Sequence, residues 1–235
     1  MNRKLLLTLA VLATTTGLTA CDHGSMVVKR PTQPAVDAAI TSMWTEEIRR
    51  VAQDGDWILT RSYSMAGDAI STFTPGVALS HASMYDAGRG TIIEAFRPLV
   101  RESRLQDLVA RNHYVIIVRP GQLDEAARHA SLVRARSKLG TRFDVGGMFG
   151  FDDPEEWYCS ELLFWAAGVG TRTGDEPLVV TPSDLLKYGQ VVYWSGERTN
   201  PEVMADAAGR VARSREVVRY AHDLGAPRDQ VASRH

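Results

Sequence analysis

The order of predicted elements points to an α+β domain with a mainly antiparallel sheet of about five strands. Three observations carry that expectation. An amphipathic helix leads, several short strands follow close together in sequence, and helices dominate what comes after. Strands joined by short turns pair as neighbours, whereas parallel pairing needs long crossovers.

Residues 22–35, with Gly24, Pro31 and Pro34, read as a tether. Over Ala35–Gln53, the residues Ile40, Met43, Trp44, Ile48 and Val51 recur at three- and four-residue spacing, which gives a helix one apolar face. Gly55-Asp56 then introduces a strand, Trp57–Thr60. From Tyr63 to Gly76 the chain carries Gly67, Pro75 and Gly76 and reads as a loop, a candidate lid. Val77–Asp86 and Thr91–Phe96 read as strands joined by the turn Ala87-Gly88-Arg89-Gly90.

Arg101–Ala110 reads as a short helix, and Tyr114–Val118 is apolar almost throughout, as a central strand must be. Gln122–Leu139 is an amphipathic helix that stops at Gly140. The Gly-rich stretch Gly146–Phe151 leads to a helix over Glu155–Ala167. Pro182-Ser183-Asp184-Leu185 opens a further turn, Gln190–Trp194 is a last strand, and Pro201–Leu224 has the Val/Ala pattern of a surface helix.

The N-terminus reads as an export signal. Arg3-Lys4 precede the apolar stretch Leu5–Leu18, and Leu18-Thr19-Ala20-Cys21 has the form of a cleavage site ending in a lipid-modified cysteine. That stretch is too short for a membrane-spanning helix of about 20 residues. The expected organisation is a signal over residues 1–20, a tether over 21–35, one domain over 36–196, and a C-terminal helix and tail over 197–235. Near-neutral charge, 27 Lys and Arg against 28 Asp and Glu, argues against nucleic acid as the main partner.

With Cys21 acylated, the second of the two cysteines, Cys159, has no disulfide partner in its own chain. An unpaired thiol in an oxidising compartment is either buried or used. Cys159 lies in Glu155-Glu156-Trp157-Tyr158-Cys159-Ser160-Glu161, in the first turn of the predicted helix. Free backbone N–H groups and the helix dipole there favour the thiolate, the nucleophilic form. A small thiol packed at a buried helix start has the same pattern, so both readings stand on position alone.

A thiolate needs a base, and His81 is the leading candidate, on a strand face with Val77, Leu79, Ser83 and Tyr85. If the turn pairs Asp86 with Thr91, Ser83 faces Glu94 and His81 faces Phe96, so His81 and Glu94 are diagonal neighbours on one face. A buried carboxylate needs a partner, and an imidazole N–H supplies one. The pair then follows triad logic: Glu94 orients His81, and the free ring nitrogen meets Cys159. The plainer alternatives are a satisfied core histidine at His81 and a surface pairing of Glu94 with Arg97 or Arg101. Asp144 reads as a turn cap or a cleft residue. No paired ligands stand at metal spacing, so neither a metal nor a cofactor is expected.

Together these segments resemble the permuted papain-like amidases, the YiiX/YaeF-like branch of the NlpC-type cysteine hydrolases. The likeness runs from Gly55-Asp56-Trp57-Ile58 through Ser80-His81-Ala82-Ser83-Met84-Tyr85, Ile93-Glu94-Ala95 and Gly140-Thr141-Arg142-Phe143-Asp144 to Tyr158-Cys159-Ser160-Glu161-Leu162. Histidine precedes cysteine, the reverse of the ordinary papain order. The resemblance implies a circularly permuted papain-like fold with Cys159 as nucleophile, His81 as general base and Glu94 as the orienting residue. Many unpermuted relatives have His, Asn or Gln in that third role. The Gln that polarises the carbonyl in papain has no counterpart before Cys159, where position 153 is Asp.

The expected function is hydrolysis of an amide or related acyl bond in the cell envelope, on small peptides, amino-acid amides or peptidoglycan peptides. The N-terminal lipid would hold the protein to a membrane facing the periplasm, and Asp22 resembles an inner-membrane retention signal. An acyltransferase or esterase acting on membrane lipids and a non-catalytic binding lipoprotein are the rival readings.

Overall fold

The computed structural model describes residues 25–73, 77–151, 153–169 and 178–223; the predicted signal and Cys21 lie outside them. Helix α1 (Pro34–Val51) begins with proline at its first position, where a fixed φ suits the helix and no N–H is wasted. Its buried stripe, Val36, Ile40, Met43, Trp44 and Ile48, faces the sheet. Strand β1 (Trp57–Ser62) follows after a turn that only glycine fits. Gly55 has φ +76°, and a Cβ there would come within 2.4 Å of the Arg128 carbonyl oxygen. Next to it the fully buried Asp56 is held by Arg119, 2.8 Å from its Nη2, and by the Gln53 N–H at 2.9 Å.

The segment expected to be a loop after Tyr63 contains helix α2 (Met65–Phe73). Ser64 caps it, its hydroxyl accepting from the Gly67 N–H at 3.0 Å, and Asp68 forms a buried ion pair with Arg61. Short-range capping and a tertiary ion pair thus override the loop-like composition. Residues 74–76, the rest of the candidate lid, lie outside the described residues.

Strands β2 (His81–Asp86) and β3 (Thr91–Phe96) form the expected hairpin, with Asp86 paired to Thr91 and Met84 to Ile93. Strand β4 (Leu99–Arg104) is a correction: the chain turns at Arg97-Pro98 and runs back along β3, pairing Phe96 with Leu99 and Glu94 with Arg101. The predicted helix over 101–110 therefore shrinks to α3 (Leu105–Ala110). Helical propensity in Arg101–Arg104 gives way to an open sheet edge that offers backbone hydrogen bonds.

Strand β5 (Asn112–Pro120) is central and buried, and β6 (Gly189–Trp194) forms the far edge. The result is a six-stranded antiparallel sheet, order β4-β3-β2-β1-β5-β6. The α+β class stands, with six strands rather than about five. On one face the sheet packs α4 (Glu125–Arg136) and α5 (Cys159–Ala167), burying Trp57, Leu59, Met84, Ile93, Leu162 and Leu163. On the other it packs α1 and α3, burying Ile58, Tyr85, Ile92, Leu108 and Ile117. Helix α6 (Pro201–Asp223) packs against α1 and buries Ala207. Alternate residues of each strand thus feed two cores, which is why the central strands are apolar throughout. Among the described residues, no helix is long and apolar enough to cross a membrane.

Candidate active site

Helix α5 starts at the cysteine, not four residues before it as predicted. Tyr158 is its N-cap, extended at φ −98° and ψ 170°, which makes Cys159 the first helical residue. The neighbours of Cys159 explain this start. The Tyr158 N–H donates to the Glu161 carboxylate at 3.1 Å. The Tyr158 hydroxyl accepts from the Val180 N–H at 2.9 Å, and the Ser160 hydroxyl donates to the Val180 carbonyl at 2.7 Å. The side chains on either side of Cys159 therefore grip one residue of a distant segment, and the sulfur is left facing the sheet.

It meets the start of β2. Cys159 packs in one cluster with Ala82, and the thiol and the His81 imidazole are close enough for each to shift the other's charge state. The His81 ring is fixed from the other side: Nε2 lies 2.7 Å from Glu94 Oε2. The register expected for the hairpin is the register observed, so the diagonal pair forms. The three sequence-selected residues, Cys159, His81 and Glu94, come together. Cys159 and His81 are 7 % and 8 % exposed.

Glu94 is fully buried and carries more partners than the sequence revealed. Besides His81 it accepts from Arg101 Nε at 3.1 Å, from the Ser103 hydroxyl at 2.7 Å, and from Arg111. Glu94 thus pairs with His81 and also with Arg101, but in the interior rather than at the surface where the arginine pairing was expected. Arg101 and Arg111 also stack over Phe96, at 4.3 and 4.6 Å from its ring centre, while the His81 ring meets Phe96 edge-on at 5.7 Å. Ser103 escaped sequence reasoning because β4 was read as a helix, and Arg111, at the end of α3, because only the assembled sheet brings it to Glu94. The Pro98 turn just after a strand was the available signal for a hairpin.

These contacts set the charge states. Burial alone would raise the Cys159 thiol, but hydrogen bonding to His81 and its positive charge, helped by the Ala82 N–H and Ser160, lower it below its ordinary value. Burial alone would lower His81, but the hydrogen bonds to Cys159 and Glu94, and then their charges, raise it from 6.5 to about 9. Burial likewise opposes ionisation of Glu94, yet His81, Arg111 and Ser103 hold it well below the usual carboxylate range. Each group favours the charged form of the next: carboxylate, imidazolium, thiolate.

Asp144 and two further histidines are held by partners outside the relay. Asp144 is buried and accepts from the N–H groups of Gly147 at 2.7 Å and Asp153 at 3.1 Å, so it shapes the turn before α5. His113 is buried against the Tyr63 hydroxyl at 3.2 Å, and His129 faces Asp54 at the surface. Among the described residues, no group of three or more His, Cys, Asp and Glu side chains is arranged to hold a metal ion.

No family model matches the chain, and no curated protein matches it. Among solved structures the chain is similar to the metalloprotein YiiX from Escherichia coli O157:H7, at 20% identity and a TM-score of 0.49, over 62% of this chain and 97% of that one.

Proposed function

We propose that this chain is a cysteine hydrolase with a permuted papain-like architecture that cleaves an amide or related acyl bond. The single observation supporting it is the Cys159–His81–Glu94 relay, in which a buried carboxylate holds an imidazole against a thiol at a helix start. The helix α5 start places the Cys159 backbone N–H and the positive end of the helix dipole beside the sulfur.

In the reaction the Cys159 thiolate attacks the acyl carbon, a C–S bond forms, and the carbonyl oxygen becomes an oxyanion beside the Cys159 N–H. His81, protonated, gives its proton to the leaving nitrogen as the C–N bond breaks, leaving a thioester. Neutral His81 then takes a proton from water, hydroxide adds to the thioester carbon, and the thiolate leaves with the acid as product. Glu94 stays ionised and orients the ring throughout.

Among the described residues, no donor set fits the metal in the neighbour's name. Cys159 and Glu94 flank one imidazole, and Glu94 already faces two guanidinium groups that would repel a further cation. The proposed location is the cell envelope, with lipid on Cys21 holding the domain to a membrane. Peptidoglycan peptides and amino-acid amides are the proposed substrates.

The test is incubation with muropeptides, amino-acid amides and phospholipids, with products and the acylated protein followed by mass spectrometry. Amide cleavage with a transient acyl adduct on Cys159, lost in Cys159→Ala, is expected. Equal turnover by that variant would overturn the reading. Fatty-acid release from phospholipids alone would move the substrate class to lipid esters.

A further inference from the structure

Outside the relay itself, the first described residues are fastened to α2 rather than hanging free. The Ser25 hydroxyl donates to Asp68 at 2.5 Å and the Met26 N–H donates to the same carboxylate at 2.7 Å. Asp68 is in turn fixed by Arg61, which is 1% exposed and bonded to the Ser62 carbonyl at 2.6 Å. Around this clip the surface is apolar. Met26 is 75% exposed, Val27 66% and Met65, one helical turn before Asp68, 47%. Ala66 and Ala69 of α2 are exposed with them, and Lys29 stands exposed just along the chain. The polar atoms here turn inward to Asp68 while the large side chains turn outward, the reverse of an ordinary solvated surface.

The lipid-bearing residue is four positions before Ser25 in the sequence. An extended chain covers at most about 3.5 Å per residue, so Cys21 and Ser25 are no more than about 14 Å apart. A bilayer holding the acyl chains on Cys21 is therefore already at this face. We propose that Met26, Val27, Met65, Ala66 and Ala69 rest on the bilayer surface, with Lys29 among anionic headgroups, so that the clip at Asp68 fixes the orientation of the whole domain. This rests on the lipid-anchor reading above. Because the anchor makes contact intramolecular, a small apolar patch is enough: the effective concentration of membrane at the patch is high. Lys29 supports a bilayer over a second protein copy, since its long stem lets the charge reach phosphates while its neighbours enter the interface.

The experiment uses the full-length acylated protein, its N-terminal modification verified by mass, in vesicles of phosphatidylethanolamine and phosphatidylglycerol. In a Cys159→Ser background, an environment-sensitive dye is attached through Met65→Cys or, as control, Val133→Cys. Val133 is 55% exposed on α4, whose Arg136 bonds Asp86 at the opposite end of β2 from His81. Spin-labelled phospholipid is expected to quench the dye at position 65 several-fold more than at 133. Substituting Met26→Glu and Val27→Glu together should remove that difference while vesicle flotation persists. Equal quenching at both positions in protein that floats overturns the orientation and leaves the anchor standing. Absence of acylation and flotation overturns the anchor itself. Shielding of the dye at 65 without vesicles, rising with protein concentration, assigns the patch to a second copy and also overturns the proposal.

Discussion

His81 and Glu94 occupy diagonal positions of the β2–β3 hairpin, and their side chains meet at 2.7 Å between Nε2 and Oε2. Neither residue is on the element that carries the cysteine, so the relay is a tertiary object built on a local one. A two-strand register fixes the carboxylate and the ring, and the docking of α5 brings the sulfur.

Replacing the proposed nucleophile separates chemistry from packing. Cys159→Ala removes one buried sulfur atom and should change unfolding free energy by about 1 kcal/mol or less while abolishing turnover. Chemical denaturation beside a substrate assay checks this. A large stability loss with residual turnover would make Cys159 a packing residue.

The pH dependence follows from the raised imidazole and the lowered thiol. At pH 6, where an ordinary thiol is protonated, Cys159 should already react with iodoacetamide, because His81 stays protonated up to about pH 9. Turnover should fall above about pH 9, as the imidazolium loses the proton it gives the leaving group. His81→Ala leaves the buried thiol without its counter-charge, so alkylation at pH 6 should fall by about tenfold or more. Alkylation rates from pH 5 to 10 decide it.

Glu94→Gln should slow turnover less than His81→Ala, since an amide still holds the ring but no longer stabilises its charge. It should also destabilise the fold by about 3 kcal/mol, by leaving Arg101 and Arg111 facing a neutral group. The sign with pH is fixed: Glu94 has a depressed folded pKa, so its contribution is present above about 4.5, its ordinary value, and is lost as pH falls below that. The stability gap between wild type and Glu94→Gln should therefore narrow as pH drops below 4.5. Urea titrations at pH 7 and pH 3 test it.

Gly55→Ala places a Cβ against the Arg128 backbone at φ +76° and should cost about 3 kcal/mol. Gly90→Ala, at φ +66° with no atom within 4 Å of the added carbon, meets only the backbone penalty, about 1 kcal/mol. Thermal unfolding of the two variants distinguishes close approach from conformational strain.

The sequence by itself determined what lies within one hairpin or one helix. Period-two and period-3.6 patterns set α1, β2, β3, β5 and α6 to within a few residues, and the four-residue turn fixed the register that joins His81 to Glu94. These are short-range consequences of side-chain alternation and turn length. Only the tertiary structure decided β4, α2 and the first residue of α5. Arg101–Arg104 becomes a strand because β3 offers an unpaired edge, and α2 holds its place through a buried ion pair between Arg61 and Asp68. The Tyr158 and Ser160 side chains reach Val180, twenty or more residues on. So too with the charge states: Arg111 meets Glu94 only after β3 and β5 have taken their places in one sheet, and it is these partners, acting against the cost of burial, that ionise the relay.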